Sequence, residues 1–107
     1  MPMNEAQYQR YLVKKIEELI PGCDIIKNDP RHNQGIPDLL ILHNDKWAML
    51  EVKASANANI QPNQVFYIGK YRDMSFASFI NPENEEDVLH ELQLALGSAR
   101  ETRLSKS

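Results

Sequence analysis

Cysteine is almost absent from this chain: Cys23 is the only one in 107 residues. An intrachain disulfide is therefore impossible, and a four-cysteine zinc site is excluded. Cys23 itself reads as a small apolar group in a strand. Long hydrophobic runs are missing too. None approaches the roughly 20 residues needed to cross a bilayer, so no membrane partner is expected. The opening Met1-Pro2-Met3-Asn4-Glu5 lacks the basic and then apolar regions of a secretory signal, and the chain reads as cytoplasmic. Nor is there a surplus of positive charge. The formal net charge is −3, whereas a protein that attracts nucleic acid over its whole surface is basic.

What is there is a composition of 42% hydrophobic and 25% charged residues, that of a globular rather than a disordered protein. The length suits one domain with a modest core. Asn4 is placed to cap a helix whose core stripe is Tyr8, Leu12, Ile16 and Leu19, closed by Pro21-Gly22. Cys23 to Lys27 predicts a short strand, followed by a polar loop from Asn28 to Gly35. Pro37 to Leu42 is too short and too β-favourable for a helix. With a turn at His43-Asn44-Asp45-Lys46 and a returning strand at Trp47 to Lys53, it predicts a hairpin. Ala54 to Ile60 reads as a loop. Pro62 opens a helix to about Arg72, with Val65, Phe66 and Ile68 as apolar candidates. Ser75 to Ile80 reads as a strand, and Asn84 caps a last helix carrying Val88, Leu89, Leu92 and Leu96 on one face. The expected fold class is α/β (α+β), in the order α-β-β-β-α-β-α, with one mixed sheet flanked by helices. Residues 1–97 form the expected domain and 98–107 a frayed polar tail.

Residues alternate faces along a strand, so Glu51 and Lys53 share one face above Trp47 and Met49, while Leu50 and Val52 point the other way. Pairing Leu42 with Trp47 across the turn and continuing the register places Asp38 opposite Glu51. Two facing carboxylates repel and call for a cation or a shared proton. Hard oxygen ligands select Mg²⁺ or Mn²⁺, which accept phosphate oxygens. Beside them Lys53 can hold an attacking water and stabilise charge on a phosphodiester. Taken singly, a Glu-x-Lys or a Pro-Asp is commonplace. Their order, the hairpin between them and the Gly35-Ile36-Pro37-Asp38 lead-in carry the weight.

Those segments, Gly35-Ile36-Pro37-Asp38-Leu39-Leu40 and Trp47-Ala48-Met49-Leu50-Glu51-Val52-Lys53-Ala54, resemble the PD-(D/E)XK nuclease superfamily. Within it the chain looks most like the VRR-NUC group of small phage and bacterial nucleases, relatives of Holliday-junction resolvases. The resemblance spans about Asn4 to Ile80. It implies a restriction-endonuclease-like core and Mg²⁺- or Mn²⁺-dependent cleavage of DNA that is branched, nicked or duplex, in the host cytoplasm if phage-encoded. It also implies that Asp38, Glu51 and the Val52 backbone carbonyl hold the metal and that Lys53 positions water. Glu5 would act near the metal, in part through water, and Gln64 would orient water, metal or phosphate.

Each of these residues has a plainer reading. Glu5 could favour its helix start electrostatically, and Gln64 could be an ordinary polar helix residue. His32 and His43 read as solvent-facing loop histidines. Lys14, Lys27, Arg31, Lys70 and Arg72, with Tyr67 and Tyr71, are candidates for contacting nucleic acid, or else parts of a solvated surface. A nuclease this small would favour a homodimer on a branched substrate. The competing expectation is a non-enzymatic nucleic-acid-binding or assembly module that retains a nuclease-like fold, favoured by the acidic charge.

Overall fold

Helix α1, Glu5–Leu19, begins where Asn4 and Gln7 exchange hydrogen bonds: each side chain accepts from the other's backbone N–H at 2.9 Å. This capping box satisfies two donors that a helix start otherwise leaves unpaired. The helix stops at Leu19 because Pro21 cannot continue it. Gly22 then turns the chain at φ 88°, a value that few other residues tolerate. The structure is a computed structural model describing residues 2–29 and 31–97, so the expected tail at 98–107 lies outside the described residues.

Strands β1 (Asp24–Lys27), β2 (Leu39–His43), β3 (Lys46–Val52) and β4 (Phe76–Ile80) form one mixed sheet in the order β1-β2-β3-β4. The first two pairings are antiparallel and β3–β4 is parallel. Helix α2, Pro62–Arg72, supplies the crossover that a parallel pair requires. Helix α3, Glu85–Ala95, follows β4. The order is α-β-β-β-α-β-α, as the hydrophobic pattern predicts. The hairpin turn is tighter than expected. His43 still pairs with Lys46, leaving Asn44 and Asp45 as a two-residue loop. Asn44 makes this possible by taking φ 57°, which asparagine adopts more readily than most residues.

The two faces of the sheet have different partners. Leu39, Ile41, Ala48, Leu50 and Val52 pack with Tyr8, Leu12 and Ile16 of α1 and with Val88, Leu89 and Leu92 of α3. Each fully buried aliphatic side chain here contributes roughly 1.5–3 kcal/mol. Leu19 is only half-buried, and Ile20 just beyond the helix takes the interior place. The opposite face is thinner: Met49, Ala77 and Ile68 form a small cluster, flanked by Leu40, Trp47, Tyr71 and Phe79. Val65 and Phe66, expected as apolar packing on α2, are instead exposed (56% and 62%), and the helix is anchored by buried Ile68 with partly buried Tyr71 beside it. Met49 therefore sits on the α2 side, and Glu51 and Lys53, two and four residues on, end beneath the start of that helix.

Candidate active site

The observed register pairs Leu39 with Leu50 and Leu42 with Trp47. Continued by one residue, it sets Asp38 across from Glu51. Asp38 is fixed by its neighbours on both sides. Its Oδ2 accepts the Val52 N–H at 2.8 Å, and its own carbonyl accepts the Asn28 N–H at 2.8 Å. The Asn28 amide also donates to the Pro37 carbonyl at 2.7 Å, tying the end of β1 to the Pro-Asp step. Just upstream, Gly35 (φ 89°) lets the loop lie against α2: a Cβ there would come within 2.6 Å of the Asn63 side chain.

Glu51 and Lys53 are the buried charged residues among those described, 3% and 7% exposed. Their separation, 3.8 Å from Nζ to Oε2, makes an ion pair but not a good hydrogen bond. Lys53 Nζ instead donates to the Asn59 carbonyl and to Gln64 Oε1, both at 2.9 Å. Gln64 closes the set by donating from Nε2 to Glu51 Oε2 at 2.9 Å. Its Oε1 also accepts the Gln61 N–H at 2.9 Å, so one amide caps α2 and links the lysine to the glutamate.

This arrangement leaves the carboxylates under strong electrostatic pressure. Burial first, and then the charge of Asp38, push the Glu51 carboxyl from its ordinary 4.5 up to about 8; Glu5 adds to the rise, while Lys53 and the Asp38 backbone N–H oppose it. Burial likewise raises Asp38, against the Val52 N–H, and again Glu5 pushes it higher. Glu5, the first residue of α1 and exposed, is thus brought close enough to act on both carboxyls. The structure brings Asp38, Glu51, Lys53, Gln64 and Glu5 into one locality.

Two solved structures are similar to the chain in fold. One, described as a VRR_NUC domain, is 26% identical, covers 74% of this chain and 84% of its own, and superposes with a TM-score of 0.60. The other, a VRR_NUC domain protein, is 16% identical, covers 92% of both chains and has a TM-score of 0.66. The chain has a VRR-NUC-like nuclease fold. No protein-family model and no curated sequence matches it.

In this VRR-NUC-like frame the question is whether the residues fit a hard divalent cation. Among the described residues no three His, Cys, Asp or Glu side chains converge to hold a metal by themselves. The protein's direct donors would be two carboxylates and a backbone carbonyl, at Asp38, Glu51 and Val52. That set suits Mg²⁺, which keeps several waters and is bound through one or two carboxylates plus substrate phosphate. Burial, and after it the charge of neighbouring carboxylates, raises Glu51 and Asp38, and a bound cation would offset both by favouring their charged forms. The donor set fits.

The five basic candidates lie on different elements, apart from Lys70 and Arg72, which share the last turn of α2. Lys14 is exposed on α1, Lys27 ends β1, and Arg31 pairs with Asp29 at 2.9 Å. Lys70 lies over the Tyr67 and Tyr71 rings at 5.9 and 5.8 Å, and Arg72 Nε donates to the Ala77 carbonyl at 3.1 Å. His32 is exposed as expected, but His43 is not a solvent-facing loop residue. It ends β2, half-buried, with Nδ1 2.7 Å from the Leu96 carbonyl. Cys23 packs half-buried against the main core, just ahead of β1.

Two features of the site escape a reading of the sequence. The Asn59 carbonyl that holds Lys53 is backbone and leaves no residue-type signal. The other is a second polar cluster, where Glu85 accepts from Tyr8 Oη, Tyr11 Oη and Lys15 Nζ, each at 2.8 Å. Tyr8, Tyr11 and Lys15 recur at helical spacing on one face of α1, but only the fold reveals that Glu85 meets them.

Proposed function

We propose that the protein is a Mg²⁺- or Mn²⁺-dependent endonuclease that hydrolyses DNA phosphodiester bonds, with structure-selective or weakly sequence-selective cutting. The observation that carries this is the buried Glu51, raised to about 8 beside Asp38 and cross-linked through Gln64 to a buried lysine. Such an arrangement is costly to fold without a cation and useful with one. The VRR-NUC-like fold supports the same reading.

Asp38, Glu51 and the Val52 carbonyl would hold the metal, with Glu5 reaching it through water. When bound, the metal acidifies a water and neutralises charge on the phosphate. Lys53 spends two of its three N–H donors on Asn59 and Gln64, so its direction is set and the third is left for the attacking water or a phosphate oxygen. Gln64 keeps Glu51 and Lys53 from collapsing into a tight ion pair. DNA, branched, nicked or duplex, is the proposed partner, and a homodimer would present two such sites to the two strands.

Incubation with supercoiled, linear and four-way-junction DNA in Mg²⁺, Mn²⁺ or EDTA tests the proposal. Metal-dependent cleavage that is lost in Lys53→Ala is the expected result. No cleavage of any substrate, with DNA binding indifferent to metal, would instead establish a binding module.

A further inference from the structure

A cavity of about 330 Å³ opens beside the candidate active site, lined by Met3, Tyr8, Tyr11, Ala54, Pro82 and Glu85 among others. Its volume is at the small end of ligand pockets, which run from roughly 300 to 1,000 Å³. Two links of the chain tie it to the centre. Ala54 directly follows Lys53, and Tyr8 lies one turn along α1 from Glu5, on the same side of the helix.

Its chemistry differs from that of a phosphate site. Met3, Tyr11 and Pro82 make the lining largely apolar, and Tyr8, only 3% exposed, backs the Tyr11 ring in a stack at 6.0 Å and 19°. None of the described residues that line it is a cation. Its one carboxylate, Glu85, is paired with Lys15 at 2.8 Å. Three of the roughly four lone-pair directions of that carboxylate are occupied, leaving about one acceptor at the polar end. A flat, uncharged ring system with an amino edge matches this surface, and a phosphate does not.

We infer that this cavity is a nucleobase subsite, which receives one unpaired base of the DNA strand next to the phosphate being cut. The inference rests on the nuclease reading and deepens it. Bases in intact duplex are stacked and paired, so only gapped, flapped or branched DNA presents a base at little cost. The cavity thereby supplies a physical source of structure selectivity that the scattered basic residues do not.

The test uses single-stranded and gapped DNA carrying 2-aminopurine at the unpaired position, with Ca²⁺ in place of Mg²⁺ to allow binding without turnover. Stacking in the pocket dims the probe. Tyr11→Ala should restore its brightness and weaken binding of gapped DNA roughly five- to tenfold, the lower part of the range for losing one base–aromatic stack. Binding of intact duplex should be unchanged, and Tyr11→Phe should keep most of the affinity. Unchanged probe brightness in the wild type, or an equal loss on gapped and duplex DNA, overturns the subsite. Should Tyr11→Ala fail to fold, adenosine titrated into the wild type must shift the NMR signals of Tyr11 and Ala54, and absence of shifts overturns the proposal equally. Cleavage of duplex in Mn²⁺ reports separately on the nuclease reading. Cutting without probe dimming sinks the subsite alone, and dimming without any cutting sinks the nuclease alone.

Discussion

Two glutamates, one at the middle of the sequence and one late in it, show how surroundings decide what a carboxylate is for. Glu85 is partly buried, which by itself pushes its carboxyl up, but hydrogen bonds from Lys15, Tyr11 and Tyr8 outweigh this and hold it below the usual range. Its charge is balanced, and three of its roughly four acceptor directions are filled. Glu51 is more deeply enclosed, faces another carboxylate and has a lysine held off at 3.8 Å by a glutamine, so its carboxyl rises to about 8. One glutamate is satisfied by its neighbours and the other is kept wanting. The difference teaches that a buried acid with a withheld partner is the better indicator of reaction chemistry than an acid whose charge its neighbours balance.

The contrast is broken most severely at the withheld partner. Lys53→Ala should lower metal-dependent cleavage by about 100-fold or more, a loss typical of removing one group that stabilises transition-state charge. Steady-state cleavage of labelled duplex measures it. Gln64→Ala frees Lys53 to close on Glu51 and should cost roughly 10- to 100-fold in activity or metal affinity, as losses of ligand-orienting groups do. Isothermal titration with Mn²⁺ separates those two contributions.

The third test concerns pH and needs no substrate. Because folding raises the Glu51 carboxyl from 4.5 to about 8, the folded state holds a proton that the unfolded chain releases. The resulting stability is fully present below 4.5 and is lost as pH rises through about 8. Metal-free protein should therefore melt at lower temperature at pH 8 than a Glu51→Gln variant, which is not subject to this loss. Added Mg²⁺ should narrow the gap by stabilising the wild type. Equal melting temperatures in metal-free buffer across this window would contradict the assigned surroundings of Glu51. Glu85 has the opposite sign: its lowered carboxyl adds stability above the ordinary 4.5, and that stability is lost as pH falls through the depressed value. Glu85→Gln should cost only about 1 kcal/mol in a urea melt, since Lys15 is partly exposed and its ion pair is screened. Cleavage of intact duplex by that variant should match the wild type.

Much of this centre was legible in the sequence because a two-residue period is unforgiving. Once Leu42 faces Trp47, Asp38 must face Glu51, and Glu51 and Lys53 must share a side. The helix stripes at Tyr8, Leu12 and Ile16 and at Val88, Leu89, Leu92 and Leu96 are equally direct, since all seven residues are buried. Helix α2 was readable in extent but not in orientation. Its apolar residues do not form a single stripe, so Val65 and Phe66 could be assigned inward, although Ile68 and Tyr71 are the ones that pack. His43 looks solvent-facing in the sequence because its partner, the Leu96 carbonyl, lies far along the chain. The Tyr8–Tyr11–Lys15–Glu85 network was missed for the same reason: its partners are long-range and polar, and no periodic pattern announces them.

One property of the hairpin and its crossover bears on how such a protein can diversify. Asp38, Glu51, Lys53, Asn59 and Gln64 all fall within the single stretch 38–64, whereas the cavity beside them is lined from both ends of the described chain, by Met3 and Tyr8 and by Pro82 and Glu85. Most of the proposed cutting machinery is thus one contiguous stretch, joined from outside it by Glu5, and most of the surface that would choose among substrates lies in the flanks, with Ala54 the link between the two. Under the proposed function, substitutions in those flanks would change which DNA shape is accepted while leaving the reaction itself unchanged.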